Sequence, residues 1–95
     1  MSEIVNHAVT ALSRKLSDGF DGSAKFVIED EGAIMLDSDG VRAGDDEADV
    51  TLTASADTFR AILDGDLSPT MAFMGGKLKV DGDMGEAMRL GSALG

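Results

Sequence analysis

The side chains that could carry out chemistry are one histidine, 18 carboxylates and eight Lys or Arg residues, with no cysteine. His7 is the single histidine. It lies beside or away from the Ile4/Ala8 stripe of an amphipathic segment, which favours a solvated or capping role. A transition-metal site would need carboxylates almost alone, which those metals do not prefer. No Gly-x-Ser-x-Gly elbow is present for a serine nucleophile. The sequence therefore predicts no catalytic residues, no metal site and no cofactor.

Two short segments come close to binding motifs and then depart from them. DSDG at residues 37–40 starts like a calcium loop, but Arg42 and Ala48 stand where that loop needs Gly and Glu. GGKL at residues 75–78 lacks both the earlier Gly and the final Ser or Thr of a phosphate-binding loop. The acidic run at residues 45–49 favours a solvated turn, with loose cation binding as the alternative.

The size and charge of the chain limit the classes of partner. Its 95 residues predict one domain, residues 1–95, with one core. The formal net charge of −10 repels phosphate backbones and anionic membranes, so nucleic acid is not an expected partner. The acidity fits either solubility or a salty medium. No signal peptide and no apolar run of membrane-spanning length is recognised, so we expect a cytoplasmic protein.

Hydropathy patterns predict the order helix, four strands, two helices, strand, helix. Apolar residues at helical spacing form the first helix, with Ser2 as its N-cap. Ser55 caps the second helix, which stops at Gly65, and Pro69 opens the third. The fourth begins near Asp83. The strand segments are AKFVIED, AIMLDS, VRAG, ADVTLTA and KLKVDGD. Each strand has one apolar face, so we expect an α+β fold with helices on one side of the sheet and water on the other.

From Lys25 onward the chain resembles the sterol carrier protein type 2 domain, the SCP-2 sterol-transfer family. AKFVIED is similar to the family's first strand, and ADVTLTASADTFRAILDGDLSP to its strand–helix segment with a G-x-L-x-P turn. MAFMGGKLKVDGDM is similar to its A-F-x-x-G-K-L-K-V-x-G-D signature, and EAMRLGSAL to its closing helix. The resemblance covers about three-quarters of the chain.

This resemblance implies a mixed sheet of about five strands whose helices enclose an apolar cavity. Members bind fatty acids, sterols, acyl-CoAs or phospholipids without altering them. The expected lipid-binding residues are the inward apolar side chains of the strands and later helices: Phe26, Ile34, Leu36, Val50, Leu52, Phe59, Leu63, Met71, Phe73, Met74, Leu78, Val80, Met84 and Met88.

The third and fourth helices provide the most specific expectations about the cavity. Met71 and Met74, three residues apart, are expected to share a face, with Phe73 pointing elsewhere. The inner face of the fourth helix is expected to hold Met84, Ala87, Met88, Gly91 and Leu94. Glycines at positions 85 and 91 each weaken this helix by roughly 1 kcal/mol, so we expect it to open and close as a lid.

Three functions remain open at this point. The leading hypothesis is a non-enzymatic lipid-binding or lipid-transfer protein of bacterial type. Its partner would be a fatty acid, a sterol-like lipid or another acyl chain, with transient membrane contact and a homodimer as further expectations. Lys77, Lys79 and Arg89 could supply positive charge near the mouth or could decorate the wet side of the sheet. The alternatives are an interaction module with a filled core and an apolar interface around residues 71–74, and an enzyme using Asp or Lys chemistry.

Overall fold

A computed structural model describes residues 3–17 and 19–94. The elements follow the predicted order. They are α1 Glu3–Lys15, β1 Ala24–Ile28, β2 Gly32–Asp37, β3 Gly40–Ala43, β4 Val50–Ala54, α2 Ala56–Leu63, α3 Pro69–Met74, β5 Leu78–Gly82 and α4 Met84–Leu94. The α+β class is confirmed. Ser2, the predicted cap of α1, lies outside the described residues.

The five strands form one mixed sheet in the order β3-β2-β1-β4-β5. Only β1 and β4 pair in parallel, while the other neighbouring strands are antiparallel. The register places Ile34, Phe26, Leu52 and Val80 in one row across four strands. Because side chains alternate between the two faces of a strand, this whole row points toward the helices. The apolar layer beneath the helices is therefore continuous from β2 to β5.

The sheet's outer face is less wet than the alternation predicts. Met35 points away from the row that contains Ile34, yet it is only 2% exposed. A Cβ placed on Gly44 would come within 3.1 Å of the Met35 Cγ, so the chain that follows β3 covers Met35. The expectation that every strand has one apolar face was wrong for β2. Strand periodicity could not predict the burial of Met35, because the residues that cover it belong to a loop.

The turn between β2 and β3 follows the sequence signals. Asp37 pairs with Gly40, so residues 38–39 make a two-residue connection, and Gly40 takes the positive φ of 119° that the turn requires. Arg42 donates to both carboxylate oxygens of Asp37, at 3.1 and 2.9 Å. This hydrogen-bonded guanidinium holds the pKa of Asp37 below its usual value. The pair fixes the hairpin on the exposed edge of the sheet.

The caps of α2 and α3 explain why these helices begin where they do. Ser55 Oγ accepts a hydrogen bond from the Thr58 backbone N–H at 3.2 Å, which confirms its predicted role. Ser68 Oγ accepts from the Met71 N–H at 3.0 Å, and Pro69 follows in the first turn. These caps determine where the two short helices begin on the helical face of the sheet.

The helices divide that face into two regions. α1 contacts β2, β3 and α2 and touches α4, whereas α3 and α4 contact each other and cover β4 and β5. Leu12 of α1 is fully buried, and the Phe59 ring of α2 meets the Phe26 ring edge-on, with centroids 4.7 Å apart. The first region is a packed core. The second encloses a cavity.

Candidate functional site

A cavity of about 480 Å³ lies between the β4–β5 side of the sheet and the helices α3 and α4. Its volume falls within the usual range for a small-molecule site. Sixteen residues line it: Phe26, Leu52, Ile62, Ser68, Pro69, Thr70, Phe73, Met74, Leu78, Val80, Met84, Ala87, Met88, Gly91, Ser92 and Leu94. The sheet makes its floor, α3 and α4 make its walls and mouth, and α2 contributes Ile62.

The small residues facing each other on α3 and α4 account for the empty space. α3 buries only Pro69 and Ala72. Across from it, Gly91 is close enough that an added Cβ would lie 3.7 Å from the Pro69 Cβ. Ala87 is buried and lines the same wall. Since these side chains are too small to reach the sheet, the space between the two helices and the sheet stays empty.

Large apolar side chains surround the mouth instead of filling the interior. The exposed fractions are 44% for Phe73, 76% for Met74, 48% for Met84 and 72% for Met88. We call these four residues the rim. Methionine adapts easily to different neighbours, so the rim suits an opening that admits variable shapes. Exposed apolar groups clustered in this way are characteristic of binding surfaces.

No charged side chain belongs to the cavity lining among the described residues. The only polar side chains there are the hydroxyls of Ser68, Thr70 and Ser92. Ser68 uses an oxygen lone pair to cap α3, so its O–H can still donate to a ligand. This composition suits a mostly apolar molecule with at most a small polar group.

Eight of the fourteen residues expected to bind lipid are brought together by the fold. They line the cavity from all three sides: Phe26, Leu52, Phe73, Met74, Leu78, Val80, Met84 and Met88. Their shared position makes the lipid-binding assignment geometrically consistent. The assignment itself stays a prediction.

The other six residues lie elsewhere. Ile34, Leu36 and Val50 are fully buried in the packed core. Phe59 and Leu63 border a separate recess of about 40 Å³ between α1 and α2. The helices fill the space above the three strand residues, while Phe59 and Leu63 lie on α2 beside α1 instead of at the cavity. The apolar character of a residue therefore could not tell whether it packs in the core or lines the cavity.

Met71 also lies away from the cavity. It is 63% exposed and does not join the lining, whereas both Phe73 and Met74 do. Met71 therefore does not line the cavity with Met74, whereas Phe73, which was expected to point elsewhere, does. α3 is six residues long and meets the cavity along one side, which includes positions 73 and 74.

The inner face of α4 was also only partly predicted. Ala87, Gly91 and Leu94 face inward as expected, but Met84 and Met88 belong to the exposed rim. Leu90, which was not predicted there, is fully buried. A buried leucine anchors the helix, so α4 is a structural part of the core as well as a wall of the cavity.

The cations near the mouth do not enter the cavity. Lys77 and Lys79 are exposed and absent from its lining. Arg89 is directed toward acidic groups, with Glu86 Oε1 at 3.3 Å and Asp21 Oδ2 at 3.4 Å. The structure gives these residues no position from which to neutralise an anion inside the cavity.

Four lining residues were missed by the sequence analysis altogether. They are Ser68, Pro69, Thr70 and Ser92. The available signal was the Ser-Pro-Thr start of α3, which places a cap beside a helix that must approach α4 closely. Ala87, Gly91 and Leu94 were expected on the inner face of α4 but were not among the predicted site residues.

Comparison with known proteins places this architecture in a family. The family model for the SCP-2 sterol transfer family matches residues 5–95. The chain belongs to this family. Curated relatives include hydroxysteroid dehydrogenase-like protein 2 from Bos taurus, 46% identical over 65% of this chain and 16% of the relative. The Danio rerio protein of that name is 36% identical over 95% of this chain and 24% of the relative. The chain thus spans no more than about a quarter of these relatives.

A solved SCP-2 structure has the same fold. The solution structure of sterol carrier protein 2 from Aedes aegypti, described as a complex with palmitate, matches with a TM-score of 0.78. The match covers 99% of this chain and 96% of that chain at 23% identity. The mixed five-stranded sheet and its helices are therefore those of an SCP-2 fold.

Two further observations concern metals and membranes. Within residues 3–17 and 19–94, no group of three or more His, Cys, Asp or Glu residues is arranged to hold a metal ion. None of the helices in those ranges has the length and hydrophobicity to cross a bilayer.

Proposed function

We propose that this SCP-2 domain binds a single apolar lipid in the cavity between α3, α4 and the sheet, and carries it without chemical change. The observation that supports this most directly is a cavity of about 480 Å³ with an uncharged lining. Each methylene moved there from water gains about 0.8 kcal/mol. A long chain can therefore outweigh the cost of being ordered on binding.

The lining also favours some lipids over others. A fatty alcohol or a sterol-like molecule can place its hydroxyl near Ser68, Thr70 or Ser92. A fatty acid fits if its carboxylate stays at the mouth, in water. An acyl-CoA would bring several phosphates to a chain of net charge −10, which opposes its approach. The palmitate bound by the Aedes aegypti protein supports an acyl chain as ligand.

A cavity-filling substitution tests the proposal. Ala87→Leu places about three extra carbon atoms in the cavity, where they displace a similar length of ligand. At about 0.8 kcal/mol per methylene, lipid affinity should fall at least about tenfold. The matched control is Ala93→Leu, at an exposed position of the same helix. Displacement of a fluorescent fatty alcohol, together with native mass spectrometry, measures both variants.

The two variants distinguish binding in the cavity from binding elsewhere. Loss of binding in Ala87→Leu with retention in Ala93→Leu supports the cavity as the site. Equal binding by the two variants, or no bound lipid mass in the wild type, would overturn the proposal. Thermal unfolding of each variant shows whether the folded state is retained.

An interaction module is the second candidate, because the rim and Met71 expose five large apolar side chains. On that hypothesis the exposed side chains would join two copies or a partner protein. Light scattering of the wild type, with and without lipid, separates the cases. A dimer that persists with the Ala87→Leu cavity filled favours an interface, whereas a monomer removes support for the homodimer.

The remaining parts of the proposal concern the setting. From the sequence we further propose that the protein is a cytoplasmic carrier of bacterial type and not an enzyme. We also propose that it contacts membranes transiently. The animal relatives carry a matching segment within longer chains named as dehydrogenase-like. The non-enzymatic part of the proposal rests on the sequence, which carries no recognisable motif that pairs an acid with a base.

A further inference from the structure

Glu86 is the single charged residue that is buried within the described part of the chain, at 8% exposure. It lies in the first turn of α4, immediately before the cavity-lining Ala87. Its carboxyl group fills the space left by Gly22, where an added Cβ would overlap Glu86 Oε1. Gly22 also has a φ of 121°, which favours glycine. The fold therefore reserves room for this carboxyl group beneath the start of α4.

The two oxygens of Glu86 have different environments. Oε1 accepts a hydrogen bond from Arg89 Nη2 at 3.3 Å. Arg89 is half-exposed, also approaches Asp21 and lies 5.7 Å from the centre of the Phe20 ring. Oε2 is fully buried and receives no hydrogen bond from any donor in the described part of the chain. An ionised carboxylate in this position leaves one oxygen both dehydrated and unpaired.

The acidic groups around Glu86 come from two other segments. Asp49 precedes β4, and its backbone N–H donates to Ser23 Oγ at 2.9 Å. Asp83 precedes α4, and its side chain accepts from the Glu86 N–H at 3.1 Å. The Asp83 N–H donates to the Asp49 carbonyl oxygen at 2.9 Å, so these segments are tied together. Burial, followed by the charges of Asp49 and Asp83, raises the pKa of Glu86, while Arg89 opposes them; a protonated Glu86 would in addition hydrogen-bond the Asp49 side chain.

A proton fits this site better than a metal ion. No metal-binding group exists among the described residues, and Arg89 already brings one positive charge. A proton on Glu86 would turn its unpaired buried oxygen into a donor toward the Asp49 carboxylate. We propose that proton binding by Glu86 fastens the first half of α4 to the sheet, and that loss of the proton loosens this helix and widens the rim.

The direction of the pH effect follows from the raised pKa. A carboxyl group whose pKa is raised on docking favours the docked state when protonated. That contribution is complete below the ordinary value of 4.5 and is lost as pH rises through the raised pKa. α4 should therefore be held more tightly in mild acid than at neutral pH. Asp21, Asp49, Asp83 and Arg89 are the charged groups that modulate this response.

The link from Glu86 to the cavity is short. Met84, Ala87 and Met88 all lie within two residues of it and line the cavity or its mouth. Movement of this helical turn changes the opening directly. The consequence for lipid exchange rests on the proposed function, whereas the proton-linked docking of α4 does not.

Hydrogen exchange of the full chain tests the docking step without any lipid. Wild type, Glu86→Gln and the control Glu47→Gln are compared between about pH 5 and pH 8, with rates corrected for intrinsic exchange. Glu47 is exposed, so its substitution removes one charge without touching the site. In wild type and Glu47→Gln, protection of α4 amides relative to α1 amides should fall with pH. The fall should approach, without exceeding, about tenfold for each unit by which docking raises the pKa of Glu86, because pH 5 already lies above the ordinary value of 4.5.

Glu86→Gln should keep high protection at both pH values, because its amide can donate to Asp49 without titrating. Identical pH profiles for Glu86→Gln and Glu47→Gln would overturn the proposal, as would an unchanged α4-to-α1 ratio in wild type. If Glu86→Gln does not fold, titration of the wild-type Glu86 carboxyl group by NMR decides. An ordinary glutamate pKa there contradicts the proposal, and a raised one supports it.

The functional consequence is measured separately with an uncharged fluorescent fatty alcohol, whose own charge does not vary with pH. Its release should accelerate with pH in wild type and Glu47→Gln, but not in Glu86→Gln. Pre-bound lipid released at one rate across this range contradicts the link to the cavity. A failure of the wild type to bind any lipid removes the proposed function and leaves the exchange result intact.

Discussion

The two ends of one apolar row show how the same kind of strand can support a solid core or an empty space. Ile34 and Val80 face the same side of the sheet in one register. Ile34 is fully buried beneath the helices, whereas Val80 forms part of the cavity floor. The strands therefore do not decide whether the space above them is filled.

The helices make the difference. Over the packed region α1 inserts Leu12, and α2 inserts Phe59 against the Phe26 ring. Over the hollow region α3 and α4 turn Pro69, Ala87 and Gly91 inward. The bulkier Phe and Met side chains of these helices lie at the rim instead. An SCP-2 cavity in this chain thus depends on where small residues are placed along two helices, with the sheet left unchanged.

The largest expected contrast compares two phenylalanines. Phe59→Ala removes a buried ring from the packed region and should lower the free energy of unfolding by about 3–5 kcal/mol. Phe73→Ala removes a half-exposed ring at the rim and should cost less than about 1 kcal/mol, while weakening lipid binding. Urea denaturation of both variants gives the two values. Equal losses would show that the rim is packed as firmly as the core.

A second contrast of intermediate size lies within α4. Leu90→Ala should destabilise the protein by about 2–5 kcal/mol, because Leu90 is fully buried. Met88→Ala, two residues earlier and 72% exposed, should change stability by less than about 1 kcal/mol. Thermal and urea unfolding measure both. A small effect at Leu90 would indicate that α4 is a loosely held lid instead of a wall anchored in the core.

The smallest contrast compares two helix caps. Ser55→Ala and Ser68→Ala each remove an N-cap hydrogen bond and should each cost about 1 kcal/mol. Ser68→Ala should alter lipid affinity more than Ser55→Ala, because α3 contributes four lining residues and α2 only Ile62. Parallel binding and unfolding curves separate the effects. Altered binding in Ser55→Ala, with none in Ser68→Ala, would contradict the division into two regions.

Most of the fold could be predicted because local signals were strong. Alternation located the strands, Ser55 located the start of α2, and Pro69 located the start of α3. The resemblance to the SCP-2 family then supplied the mixed sheet that periodicity alone does not specify. The burial of Met35 could not be predicted, because the loop that covers it has no periodic sequence pattern from which its path could be inferred.

The candidate site was harder to predict than the fold. Ile34 and Leu52 have the same polarity and inward direction, yet only Leu52 lines the cavity. The distinction depends on which helix lies above each strand, and that is decided by tertiary packing. Glu86 was overlooked for a related reason. A glutamate in the first turn of a helix normally faces water, and only the gap at Gly22 lets it turn inward.

The outer strands of the sheet also limit how copies of the chain can associate. β3 is four residues long and carries Arg42, while the opposite edge, β5, carries Lys79 and Asp81 and ends at Gly82. Short edges with charged side chains resist the backbone pairing that joins sheets into fibrils. Backbone pairing at these edges is consequently disfavoured, so the exposed apolar side chains of the rim are the surface through which two copies would associate, and a lipid covering the rim would oppose that association.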